Sequence, residues 1–165
     1  MTEDFLAKFL EEKNEELKEQ IDQAREFYMQ KRYSEASALC AIILSDYPND
    51  IDTLLLQGLC FKKQGNLEVA IKDFFDKILE LAEIIRDKDV KSKVKEAAML
   101  NKANCLLELG YLDGALNLYN RVLRINPRQW HAMYGKQRVY AKNLQIALAQ
   151  EWSHKAELTK KRYPE

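Results

Sequence analysis

Histidine is almost missing from this sequence. Among 165 residues there are two, His131 and His154, and neither stands at a spacing from Cys, Asp or Glu that builds a catalytic pair or a metal site. No glycine-rich pattern of the kind that cradles phosphates occurs. The three cysteines, Cys40, Cys60 and Cys105, form no CxxC. Their odd number fits a reducing, cytoplasmic compartment better than a disulfide framework. No segment approaches the roughly 20 apolar residues that span a bilayer. The opening "MTEDFLAKFLEEKNEE" lacks the basic start and apolar core of a secretory signal. The expectation is a cytoplasmic protein that is not an enzyme, with no cofactor, no metal and no membrane insertion.

Proline and glycine are also scarce, at three and five, and they act as punctuation. Pro48, Pro127 and Pro164 mark breaks, as do Gly65-Asn66 and Gly110. Between them run Ala, Leu, Lys, Glu and Gln, which favour helix. The pattern predicts helices at 3–31 (with Asn14 as the point where it could break), 34–46, 51–64, 67–87, 90–109, 112–125, 128–142 and 145–161.

A period underlies these helices. Residues 33–48, "YSEASALCAIILSDYP", and 111–127, "YLDGALNLYNRVLRINP", each place a proline twelve residues after an alanine, Ala36 or Ala115. "NLEVAIKDFFDKIL" at 66–79 supplies a third copy through Ala70. Written as units of 34 places with these alanines at the twentieth, the eighth place holds Ala24, Gly58, Ala103 and Gln137. The eleventh holds Phe27, Phe61, Leu106 and Tyr140, and the twenty-fourth holds Cys40, Phe74 and Tyr119. Where two helices cross, a small residue lets the backbones approach to about 8 Å. A large residue one turn away fills the space beside the crossing.

This alternation of small and large residues resembles the tetratricopeptide repeat (TPR). The resemblance covers residues 17–142. It implies an all-α fold, a right-handed superhelical array of antiparallel helix pairs, with about three repeats plus an N-terminal helix and C-terminal capping helices. One domain spans 1–165 on this reading. It comprises an N-terminal amphipathic helix at 1–16, repeats at 17–50, 51–95 and 96–129, and a partial fourth repeat with its capping helix at 130–163. The step from the second repeat to the third is eleven residues too long. The surplus is expected in "IIRDKDVKSKVKE", with longer flanking helices and "RDKD" as the loop.

In this family the first-helix places that line the concave face form a groove for a partner. Carried over, they give Ile21, Arg25 and Tyr28 in the first repeat and Leu55, Leu56, Leu59 and Lys62 in the second. The third gives Leu100, Asn101, Asn104 and Leu107, and the partial fourth His131, Tyr134 and Arg138. Grouped leucines on such a face await an apolar partner. Some family members clamp chaperone tails with Lys, Asn and Arg. The matching places here are Ile21, Arg25, Leu56, Ala97 and Asn101, so that clamp is not expected.

Charge is balanced overall, 26 against 26, but unevenly spread. Gly114–Gln150 contains no acid. It carries Arg121, Arg124, Arg128, Lys136, Arg138 and Lys142, a basic face suited to an acidic protein segment. The resemblance thus implies an adaptor, scaffold or complex subunit that binds a peptide or helix. A dedicated chaperone for a hydrophobic segment and an RNA-associated scaffold are the alternatives. Near the N-terminus Phe5, Leu6, Phe9 and Leu10 form an apolar stripe on an acidic helix, with Thr2 as its cap. The stripe could close the array, or dock in a groove and make a homo-oligomer.

Overall fold

The computed structural model describes residues 3–164, with side chains from Glu15 onward. The apolar stripe of Phe5, Leu6, Phe9 and Leu10, and Thr2 as its cap, therefore lie outside the described residues. Among the described residues all regular structure is helical. The chain divides into two compact units, one up to Asn66 and the other from Leu67.

The first unit holds α1 (Glu3–Met29), α2 (Tyr33–Asp46) and α3 (Ile51–Lys63). Helix α1 passes Asn14 without a break. Asp50 starts α3 by accepting from the Thr53 backbone N–H at 2.8 Å and the Thr53 hydroxyl at 2.6 Å, satisfying a donor that the first turn leaves unpaired. Ala24, Cys40 and Leu56, one from each helix, make the core, with Tyr28 and Leu39 packed against it. The small side chain of Ala24 is what admits the other two so closely.

The second unit begins with α4 (Leu67–Val69), a π-helical segment (Ala70–Phe75) and α5 (Asp76–Glu83). It continues with α6 (Lys88–Leu109), α7 (Leu112–Ile125), α8 (Trp130–Lys142) and α9 (Ile146–Arg162). The π-helical segment has a register consequence. In α2 the buried residues are Ala36, Cys40 and Ile43, and in α7 they include Ala115, Tyr119 and Val122. After Ala70 the buried residues are Ile71, Phe75, Ile78 and Ala82, and Phe75 and Ile78 each fall one place later than their α2 and α7 counterparts. A π turn closes an i→i+5 bond and so absorbs one inserted residue without turning the rest of the helix away from the core. Phe75, rather than the expected Phe74, thus fills the aromatic place. One of the eleven surplus residues sits inside the helix, not at its end.

The remaining surplus lengthens α6 to 22 residues. The break before it falls two residues earlier than "RDKD". Asp87 caps α6 by accepting from the backbone N–H groups of Asp89 and Val90, both at 2.9 Å. Lys91 donates to the Glu83 carbonyl at 2.9 Å. Lys95 and Lys91 reach the Glu83 carboxylate at 2.6 and 3.1 Å and hold its pKa below the usual range.

Helices α6, α7 and α8 bury one contiguous cluster. Met99, Ala103 and Leu107 meet Ala115, Leu118, Tyr119 and Val122, and these meet Ala132 and Val139. Each large side chain fully buried there contributes about 1.5–3 kcal/mol. Ala36, Ala70 and Ala115 are all fully buried. Ala149, 34 residues after Ala115, is buried as well.

Four helix ends share one geometry. Lys31, Gly65, Gly110 and Leu144 take left-handed φ values of 62°, 84°, 88° and 57°. After each, the next backbone N–H reaches five residues back: Arg32 to Phe27, Asn66 to Phe61, Tyr111 to Leu106 and Gln145 to Tyr140, at 2.8–2.9 Å. This is the Schellman arrangement, which satisfies carbonyls that the last turn leaves open.

Candidate functional site

One hollow on the second unit lies where the middle of α6 meets the start of α8. It has a volume of about 320 Å³ and is lined by Lys93, Glu96, Ala97, Leu100, Asn101, Gln129 and His131. Leu100 is half-buried, packed against the α6–α7–α8 core from one side. Polar groups are fixed around it. Glu96 Oε1 accepts from Asn126 Nδ2 at 2.9 Å and from Gln129 Nε2 at 2.7 Å, which ties the α7–α8 turn to α6. Asn101 Nδ2 donates to the Ala97 carbonyl at 3.0 Å. Gln129 Oε1 accepts from the His131 backbone N–H at 3.4 Å and lies 3.1 Å from His131 Nδ1. The result is a small apolar floor inside a held polar rim, which suits an apolar side chain presented by a peptide.

Only part of the sequence-derived groove gathers here. Leu100 and Asn101 line the hollow with Ala97 and His131. Asn104 is turned to the core, where its Oδ1 accepts from the Tyr119 hydroxyl at 2.6 Å. Burial raises the pKa of that hydroxyl, so it stays a donor. Leu107, expected on the groove, is fully buried among Met99, Ala103 and Ala115. The reason is that α6 is enclosed by both α7 and α8, so the buried face is wider than one stripe. The Tyr134 hydroxyl donates to Glu157 on α9, and Arg138 is exposed.

In the first unit the same sorting occurs. Leu56 and Ile21 are buried, Leu56 in the core beside Ala24 and Cys40, so neither opens to solvent as the groove reading required. Leu55, Leu59 and Lys62 are half-buried. Arg25 bridges Asp22 at 3.0 Å and Asp52 at 3.4 Å, an exposed network that neutralises its charge. The Tyr28 ring lies tilted against that of Tyr33, with centroids 5.3 Å apart, and burial raises its pKa.

The basic face is also redistributed. Arg121, Arg124, Arg128 and Lys142 are exposed, but Lys136 is buried. Its ammonium lies 3.4 Å from the Trp152 ring centroid on α9. Reading charge along the chain could not show this, because Trp152 arrives from the next helix. Conversely, Lys160 and Lys161 stand outside the acid-free run, cut off by Glu151 and Glu157, yet they share a hollow with Trp130. A count of charges around α9 rather than along it would have found them.

The thiols offer no nucleophile. Cys40, Cys60 and Cys105 are buried and form no disulfide. Burial pushes the pKa of Cys40 up to about 12 and that of Cys60 to about 11, far from the thiolate form at neutral pH. Among the described residues no group of three His, Cys, Asp or Glu is placed to hold a metal. No helix there is long and apolar enough to cross a membrane.

Antiparallel helix pairs with a repeated small–large core and repeated Schellman ends define a helical-repeat protein of the kind that binds other proteins. Two tetratricopeptide-repeat family models match, one over residues 21–84 and one over 96–129, together more than half of the chain. The chain belongs to the tetratricopeptide-repeat family, whose members act as scaffolds for protein partners. A TPR repeat-containing protein of Methanocaldococcus jannaschii, MJ0263, is 30% identical over 95 residues, which are 57% of this chain and 28% of that protein. The match thus spans little more than a quarter of its relative. Two solved structures share the fold. MamA MSR-1 superposes with a TM-score of 0.66 at 16% identity, over 88% of this chain and 78% of its own. A MamA RS-1 double mutant gives 0.69 at 20% identity, over 89% and 76%.

Proposed function

We propose that this chain is a non-enzymatic adaptor that holds an apolar side chain of a partner peptide or helix in the hollow between α6 and α8. The observation that carries this reading is Leu100. It is half-open at the floor of a hollow of about 320 Å³ whose rim is fixed by Glu96, Asn101, Gln129 and His131. A rim held by hydrogen bonds before binding lowers the ordering cost of capture. The whole chain is read as one domain, with an N-terminal helix at 1–16, repeats at 17–50, 51–95 and 96–129, and a partial fourth at 130–163. Three buried cysteines that form no disulfide support a cytoplasmic, reducing setting.

The test is selection of peptides from a displayed random library on the intact protein, followed by titration of the winners. Leu100→Glu should abolish binding of the selected apolar peptides, and Asn101→Ala should weaken it, with the helical spectrum unchanged. Peptides that bind the Leu100→Glu variant as well as the parent would place the site elsewhere.

A further inference from the structure

We propose that Arg128, Lys160 and Lys161, gathered around Trp130 where the start of α8 meets the end of α9, form a second binding site, for a short acidic segment of a protein partner. This rests on the reading of the chain as a protein-interaction module and adds a second ligand class to it.

Trp130, Glu157, Lys160, Lys161 and Pro164 line a hollow of about 450 Å³. Arg128 is brought to the same end of α9 by its guanidinium, 4.2 Å from the Tyr163 ring centroid. The Lys160 ammonium lies 4.7 Å from the Trp130 centroid. Among the described residues none of these three cations forms an ion pair with a carboxylate; Arg128 and Lys160 rest on ring faces instead. A cation held on a ring keeps its full charge and loses less side-chain freedom when an anion arrives. The one acid of the hollow, Glu157, accepts a hydrogen bond from Tyr134. Trp130 Nε1 is a buried donor with no partner, and an unpaired buried donor favours a state in which an acceptor reaches it. The helix dipole alone explains lysines in the last turn of α9. It does not explain why Arg128, from the turn between α7 and α8, joins them.

Single-stranded nucleic acid fits less well. It binds by stacking bases on open aromatic faces, and the Trp130 ring already carries His131, stacked at 3.5 Å, as well as Lys160.

The experiment follows the two indole N–H resonances, assigned through Trp130→Phe, while an oligo-glutamate peptide is added to the full chain. The Trp130 signal should move and the Trp152 signal should stay. Affinity should fall severalfold between about 0.1 and 0.5 M salt as the Debye length shrinks. Lys160→Glu with Lys161→Glu should weaken binding by about tenfold or more, and the milder pair Lys160→Ala with Lys161→Ala should do so by severalfold while sparing the end of α9. Arg121→Glu with Arg124→Glu on α7 should change it by about twofold at most. Equal losses from the two Glu pairs would mean diffuse attraction and overturn the site. So would an unmoved Trp130 signal, or tighter binding of an oligothymidylate at that same signal. The Leu100 variants play no part in this titration, so either reading can fail while the other stands.

Discussion

Gly135 lies against the hydroxyl end of the Tyr119 ring: a Cβ at position 135 would clash with the aromatic carbons Cζ and Cε1. This contact joins α7 to α8 and supplies a small residue in the fourth repeat, whose eighth place holds Gln137. It also fixes Tyr119 so that its hydroxyl reaches Asn104 at 2.6 Å. Gly135→Ala must displace a fully buried ring and is expected to cost about 3 kcal/mol or more. Gly114, in α7, has only Leu106 Cδ1 at 3.4 Å from where its Cβ would stand. Gly114→Ala should therefore be neutral or gain up to about 1 kcal/mol from helix propensity. Chemical denaturation of the two variants checks the contrast, and equal stabilities would refute the packing.

The four Schellman ends allow a test of backbone strain alone. Leu144 holds φ 57° while 83% exposed, so its conformation costs energy that no packing returns. Leu144→Gly should raise stability by about 1 kcal/mol. Gly110→Ala has open space around the new methyl but must keep φ near 88°, and should lose about 1 kcal/mol. Thermal melts that move in the same direction for both would contradict the geometry.

The contrast between Gly110 and Leu144 also shows what the sequence made legible. Glycine announces a left-handed position because only it adopts one freely. Lys31 and Leu144 do the same work under strain and send no such signal. Helix ends and crossing alanines were readable because they depend on local chemistry and on a period. The site was less so. Leu100 and Leu107 are both apolar residues on first-helix groove places, yet one lines a hollow and the other is wholly buried. Which it is depends on how far α7 and α8 wrap α6, and no residue of α6 encodes that.

Lys136 makes the point with charge. Burial, and then the nearby Lys155, lower its pKa, with Glu151 acting weakly the other way; Trp152 and Tyr140 cover it. Below the folded pKa both states carry the proton, so the cost of burying the charge is fully present at pH 7. As pH rises from the folded pKa towards the ordinary 10.5, the folded state releases its proton first and the cost fades. Lys136→Met should stabilise the protein by about 1 kcal/mol at neutral pH, net of the cation–π contact it removes. Its advantage should shrink at pH 10. Melting both proteins at the two pH values checks this, and an advantage that grows with pH would be the wrong sign.

The π-helical segment leads to the sharpest test of the repeat register. Between Ala70 and Phe75 the chain carries one residue more than α2 has between Ala36 and Cys40, or α7 between Ala115 and Tyr119. Lys72 is exposed. Deleting it would let the segment close as ordinary α-helix and bring Phe75 and Ile78 to the spacing that Cys40 and Ile43, and Tyr119 and Val122, already have. The core would meet the same side chains on the same face. The deletion should leave the melting temperature within about 5 °C of the parent, a change of order 1 kcal/mol. Deleting the exposed Asn117 from α7 has no such remedy. It turns Tyr119 and Val122 by about 100° about the helix axis and strips the α6–α7–α8 cluster of its aromatic, which should cost several kcal/mol, about 4 or more. If deletion of Lys72 proves as damaging as deletion of Asn117, the π turn is not an inserted residue and the alignment of the second repeat with its neighbours is wrong.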